Sequence, residues 1–299
     1  METKRIMAGA LDVAWLEIGP ATGWPCILLH GWPYDAHAGA RAAKRLAAEG
    51  ARVLLPWLRG FGGTRFLRAE TPRSGEQAAL GADLLAFMDA LALPRATLAG
   101  YDWGGRAACV VSALWPERVE ALVTGNGYNI QNIARSMEPA SPAQEAAYWY
   151  QWYLNHERGA RGFAVDPAGF ARLLWRMWSP EWRFKEEEFA ASAAAFANPD
   201  WAAVTVHSYR HRYGNAQGDP AFADIEALLA AGPEICVPTV IVDGDADGVA
   251  PFAAGDNAAR DAAITGPRRR MVLKGAGHNL PQERPAEWAE AVLAARALR

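Results

Sequence analysis

Ala99-Gly100-Tyr101-Asp102-Trp103-Gly104-Gly105 lies between an apolar run at residues 96–98 and a helix-prone segment at 106–114. A strand, a sharp turn and a helix in that order, with small residues two positions either side of Asp102, make a nucleophile elbow. Gly100 and Gly104 carry no Cβ, so strand and helix can pass closely around a strained central residue. The residue at the apex sets the chemistry. A hydroxyl there would suit attack on an acyl carbon. A carboxylate instead displaces a leaving group at a saturated carbon and leaves an alkyl ester.

Outward from this turn, the chain alternates strands and helices. Residues 13–18, 26–29, 52–55, 96–98 and 121–124 read as strands, and 36–48 reads as a helix ending at Gly50. Ser74, with Gln77 three residues on, has the spacing of a capping box. Leu80, Leu84, Phe87, Met88 and Leu91 share one face of the helix that follows. Such alternation implies a mostly parallel sheet with helices on both faces, and sheets of this kind hold their ligands beyond the carboxyl ends of the strands. From 130 to 235 the texture changes to Ala-, Trp- and Tyr-rich sequence broken by Pro and Gly, without clear strands. This stretch reads as an inserted helical cap between core segments 1–129 and 236–299, its aromatics lining an apolar cavity. Strands resume at 238–243 and 270–273, and helices are expected at 252–263 and 285–298.

Two further groups stand just past strand ends. Residues 239–243 run into Gly244-Asp245-Ala246-Asp247, and 270–273 run into Gly275-Ala276-Gly277-His278-Asn279. The chain order is nucleophile, acid, histidine. His278 reads as the general base and Asp247 as the carboxylate that orients it, with Asp245 the other candidate acid. Asn126 is a candidate auxiliary group. His30-Gly31-Trp32-Pro33, past the second strand, offers the backbone N–H of Trp32, beside that of Trp103, as an oxyanion hole.

Of 299 residues, 51% are hydrophobic and 21% charged, ordinary values for a globular enzyme with one large core. A formal net charge of −3 gives no reason to invoke nucleic acid or an anionic membrane. Cys26, Cys109 and Cys236 have neither disulfide nor metal-ligand spacing, so a reducing, cytoplasmic setting is expected, with no metal and no cofactor. No stretch approaches transmembrane length.

These motifs together resemble the epoxide hydrolase branch of the α/β-hydrolase fold over nearly the whole chain. The similarity rests on Gly-Tyr-Asp-Trp-Gly-Gly at 100–105, His-Gly-Trp-Pro at 30–33 and Arg-Gly-Phe-Gly at 59–62. In the cap, Tyr150-Gln151-Trp152-Tyr153 and His207-Ser208-Tyr209-Arg210 resemble the two segments that carry epoxide-activating tyrosines. The resemblance implies that Tyr150 and Tyr209 donate hydrogen bonds to the epoxide oxygen as the ring opens. Phenols remain protonated at neutral pH, as an alkoxide leaving group requires. His30, Trp32, Trp103, Arg106, Trp149 and Tyr153 are the expected contacts of a small apolar or aromatic substrate, in a monomer or homodimer.

The sequence also departs from that branch. Trp57 stands where relatives often carry Asp, and Trp32 stands where haloalkane dehalogenases carry a halide-binding Asn. Arg106, four residues after Asp102, resembles one of two carboxylate-holding arginines of fluoroacetate dehalogenases, but Trp103 stands where the other would be. An ion pair on the helix is the preferred reading of Arg106, and an acidic substrate is the alternative. The leading expectation is epoxide hydrolysis through an ester on Asp102. The alternatives are a haloacid or haloalkane dehalogenase with the same nucleophile and base, and a non-catalytic protein binding a small ligand.

Overall fold

The computed structural model describes residues 2–250 and 261–298. Among these, nine strands form one sheet: β1 (Thr3–Ala8), β2 (Leu11–Ile18), β3 (Trp24–Leu29), β4 (Ala51–Pro56), β5 (Arg65–Phe66), β6 (Ala96–Gly100), β7 (Val119–Gly125), β8 (Thr239–Gly244) and β9 (Arg268–Leu273). Their order is β1-β2-β4-β3-β6-β7-β8-β9, with β5 pairing β2. From β4 to β9 every neighbouring pair is parallel, whereas β1–β2 and β2–β4 are antiparallel.

The central strands are uninterrupted apolar runs because helices cover both of their faces. Every residue of β6 is buried. The edge strand β1 carries no such signal. Its sequence, TKRIMA, is mostly exposed, and it is fixed to β2 by Lys4–Glu17 and Arg5–Asp12 ion pairs, each 2.6 Å.

The core helices are α1 (Ala40–Ala48), α2 (Gln77–Ala90), α3 (Asp102–Leu114) and, after the cap, α11 (Leu280–Glu283) and α12 (Pro285–Ala297). The helix expected over 36–48 divides into a 3-10 turn, Ala36–Gly39, and α1. Ser74 does not cap α2, which begins at Gln77 with Glu76 before it. Arg59 claims the serine instead. Its Nη1 donates to Ser74 Oγ at 2.8 Å, while Nε and Nη2 grip both oxygens of Asp83 at 2.6 and 2.7 Å. The helix expected at 252–263 lies mostly outside the described residues.

Between β7 and β8 the chain forms the helical cap: α4 (Pro142–Ala147), α5 (Trp149–Asn155), α6 (Glu157–Val165), α7 (Pro167–Trp178), α8 (Glu186–Ala193), α9 (Trp201–Arg212) and α10 (Ala223–Ala230). Its aromatic residues mainly seat it on the core. The Trp32 indole N–H donates to Thr205 Oγ1 of α9 at 3.0 Å, and the Trp175 indole donates to Pro33 O at 2.8 Å. Trp32 also stacks on Tyr150 with ring centroids 5.6 Å apart. Among the described residues, no helix is long and apolar enough to cross a membrane, and no cluster of three ligating side chains could hold a metal.

Candidate active site

The elbow is strained as its sequence requires. Asp102 has φ of +51°, a left-handed conformation that a non-glycine residue adopts only when its surroundings impose it. Those surroundings are close backbone contacts. A Cβ on Gly100 would lie 2.4 Å from Gly104 O, and one on Gly104 would lie 2.4 Å from Leu29 O. The turn therefore lifts the carboxylate beyond the carboxyl end of β6, at the first turn of α3.

Three loops bring the reacting groups together. Trp32 N–H donates to Asp102 Oδ1 at 2.7 Å, so the loop after β3 holds one carboxylate oxygen. Oδ2 faces His278 Nε2 at 3.7 Å. His278 Nδ1 lies 2.8 Å from Asp247 Oδ2, which also accepts from Asn126 Nδ2 at 2.9 Å. Asp247 Oδ1 accepts the Val249 and Ala250 N–H groups at 2.8 and 3.0 Å, which fixes its plane. Asp245, the other candidate acid, is exposed and accepts from Gly275 N–H at 2.6 Å. Of the two candidates, Asp247 is the one that meets His278, and Asn126 donates to the same oxygen.

The charges follow from this packing. Burial works against the ionised form of Asp102, but the His278 contact, the Arg106 charge and the Trp32 N–H outweigh it and hold the carboxyl below the usual Asp range. Burial likewise disfavours the imidazolium of His278. The flanking Asp247 and Asp102 carboxylates prevail and raise its pKa well above that of an ordinary histidine.

The two cap tyrosines are buried beside this group, their rings 5.4 Å apart and nearly perpendicular. Tyr150 OH accepts from Gln151 Nε2 at 2.9 Å, which leaves its own proton free to donate. Tyr209 OH is buried and has no hydrogen-bond partner among the described residues. Burial and nearby charge raise both phenols above the ordinary tyrosine value, so each stays protonated at neutral pH.

Other expected contacts lie elsewhere. His30 accepts Leu58 N–H at Nε2 (3.1 Å) and donates from Nδ1 to Gly31 O (2.9 Å). Both ring nitrogens are thereby engaged in holding loops, and burial keeps the ring neutral. The indoles of Trp32 and Trp103 pack under the cap, while Trp149 and Tyr153 pack on Phe170 (5.7 and 6.0 Å). None of these five side chains lines the catalytic cavity.

The cavity itself, about 410 Å³, is polar rather than apolar. Asp102, His278 and Tyr150 share its wall with Asn129, Gln131, Gln144, Gln151 and two arginines. Arg106 forms no hydrogen bond or ion pair among the described residues, so the helix ion pair expected for it is absent. The second arginine, Arg212, comes from α9 and was missed in the sequence. Its signal was its place three residues after Tyr209, on the same helix face.

Comparison with known proteins gives the family. Residues 25–285 match the family described as the alpha/beta hydrolase fold. The chain is 28% identical to Epoxide hydrolase A of Mycobacterium tuberculosis over 312 aligned positions, covering 93% of this chain and 92% of that protein. A Haloalkane dehalogenase of Mycolicibacterium paratuberculosis is 32% identical over 162 positions, covering 53% of this chain and 48% of that protein. Among solved structures, a Klebsiella pneumoniae protein described as a candidate epoxide hydrolase superposes with a TM-score of 0.96 at 42% identity, covering 99% of this chain and 98% of that one. The chain belongs to the α/β-hydrolase family and, within it, to the branch that resembles epoxide hydrolases.

Proposed function

We propose that this protein hydrolyses an epoxide to a vicinal diol through a covalent ester on Asp102. Asp102 Oδ2, the oxygen not held by Trp32, attacks an epoxide carbon. The C–O bond breaks, and the departing oxygen takes a proton from Tyr150 or Tyr209. Esterification removes the Asp102 charge and so lowers the proton affinity of His278, whose Nε2 proton passes to the tyrosinate. His278 Nε2, oriented by Asp247, then takes a proton from a water that attacks the ester carbon. The negative charge develops on Oδ1, where the Trp32 N–H already points and the Trp103 N–H is the second candidate donor. The tetrahedral intermediate expels the diol oxygen, which takes the proton from His278. The carboxylic acid left on Asp102 returns its proton to His278, which restores the starting state.

The observation that carries this reading is the buried, protonated phenol of Tyr150, which lines the cavity with an ionised Asp102 and packs edge-on against the protonated phenol of Tyr209. Such donors suit an alkoxide leaving group, which needs a proton. A second reading, release of halide from a haloacid, uses the same nucleophile and base and is favoured by the two cavity arginines, which have no ion-pair partner among the described residues. A parallel turnover assay separates the two. Diol without halide supports epoxide hydrolysis; halide without diol overturns it.

A further inference from the structure

The two arginines of the catalytic cavity have no role in the scheme above, yet both are held where charge is expensive. Arg106 comes from α3, one turn beyond Asp102, and Arg212 from the last turn of α9 in the cap. Arg212 is only 7% exposed. Its Nη1 donates to Gln151 Oε1 at 2.7 Å, and its guanidinium lies 4.8 Å over the Tyr209 ring. Its Nε and Nη2 are buried without a partner. Guanidinium donors kept from water without a partner are destabilising, so a buried arginine is ordinarily matched by an anion.

Among the described residues, no carboxylate plays that part for either side chain. Asp102 Oδ1 is bound by Trp32, and Oδ2 faces His278 and the incoming substrate. The two arginines also repel each other, and that repulsion together with burial brings Arg106 down to about 10. With His278 and Asp247 cancelling, Asp102 offsets only one guanidinium. The cavity is therefore left with one positive charge, which matches a monoanion better than a dianionic phosphate.

We infer that Arg106 and Arg212 form an anion subsite that binds the carboxylate of the substrate, so that the substrate class is a short-chain epoxy acid. The planar guanidinium fork matches a carboxylate in geometry as well as charge. Asp102, Arg106 and Arg212 line one cavity of about 410 Å³, so the carboxylate and the attacked carbon belong to one small molecule. Gln151 links the subsite to the chemistry. Its Oε1 holds Arg212 while its Nε2 donates to Tyr150 OH. Arg212 in turn lies against Tyr209. Anion binding thus orders both proton donors.

This substrate assignment rests on the epoxide reading, and the test separates the two. The rates of diol formation from 2,3-epoxybutanoate and from its neutral isostere 2,3-epoxybutanamide are compared, and binding of unreactive butanoate is measured by calorimetry. The native protein should prefer the acid in kcat/KM by at least about tenfold. Arg106→Gln and Arg212→Gln should each bring that preference close to unity, chiefly through KM, with Arg212→Lys restoring part of it. A variant that merely folds poorly lowers both rates and leaves the ratio unchanged. Equal use of acid and amide by the native protein, or an unchanged preference in both glutamine variants, overturns the subsite. If neither compound yields diol while butanoate binds and both glutamine variants abolish that binding, the subsite stands and the epoxide reading falls. If neither compound yields diol and butanoate does not bind, the subsite falls as well.

Discussion

His278 Nε2 stands 3.7 Å from Asp102 Oδ2, too far for a hydrogen bond and close enough for strong attraction between charges. The base and the nucleophile are therefore coupled by charge in the free protein. That coupling ends once Oδ2 becomes an ester oxygen.

His278→Gln should arrest the reaction after the first step. Intact-mass spectrometry after mixing with epoxide should then find protein heavier by one substrate mass, with steady turnover reduced by about 10²–10⁴-fold. Normal turnover without adduct would rule out the two-step scheme.

The same coupling sets a pH dependence. The Asp102 carboxyl is held below its ordinary value of 3.8, so it stays ionised and able to attack in mildly acidic solution. Water activation requires neutral His278. In the ester that histidine has lost the Asp102 charge but retains Asp247, so hydrolysis slows as pH falls through its ester-state pKa. The covalent adduct should therefore accumulate as pH is lowered through the ester-state value of His278, while Asp102, held below its ordinary value, remains able to attack. Quenched samples analysed by mass would show it. Adduct accumulating only at alkaline pH would reverse the assignment of the slow step.

Tyr150→Phe and Tyr209→Phe each remove one proton donor from the opening ring. Each should slow single-turnover ester formation with an epoxide by about 10²-fold, the lower end for loss of a general acid. The rate of ester breakdown should change far less. Equal losses in both steps would point to collapse of the cap rather than to lost proton donation.

Asp247 and Asp245 are separable by experiment. Asp247→Asn should favour the wrong histidine tautomer and cost on the order of 10³–10⁴ in kcat. Asp245→Asn, at an exposed side chain bonded only to Gly275 N–H, should leave kcat within about twofold, in line with the small effects of most surface substitutions. Comparable losses in the two variants would contradict the geometry.

Gly104→Ala tests the elbow as a structural device. The added methyl would meet Leu29 O at 2.4 Å and the backbone at His30 O at 2.6 Å, with no flexible side chain to yield. Denaturant unfolding should find a loss of about 1–3 kcal/mol or more. A variant as stable as the native protein would mean that β3 can move away from α3.

The core was legible in the sequence because its signals are local. Buried parallel strands are apolar throughout, and an elbow needs small residues at fixed positions around one nucleophile. Asp102, Asp247 and His278 could be read in order because each stands beyond the carboxyl end of a strand, β6, β8 and β9 in turn. The edge strand β1 lacked that signature, since one of its faces is water and its stability comes from cross-strand ion pairs. Ser74 misled for the opposite reason. Its spacing is a local pattern, but a distant arginine, Arg59, competes for the same hydroxyl.

The cavity was decided by tertiary structure alone. The cap aromatics that suggested an apolar pocket seat the cap on the core, because large rings gain most by burial against one another. What remains facing Asp102 is mainly amide and guanidinium. Arg106 and Arg212 are separated by more than a hundred residues and meet only when α9 folds over α3. Sequence periodicity determines which face of each helix turns inward; it does not determine which two inward faces oppose each other. That pairing depends on how the cap docks, and it leaves two positive charges beside one nucleophile.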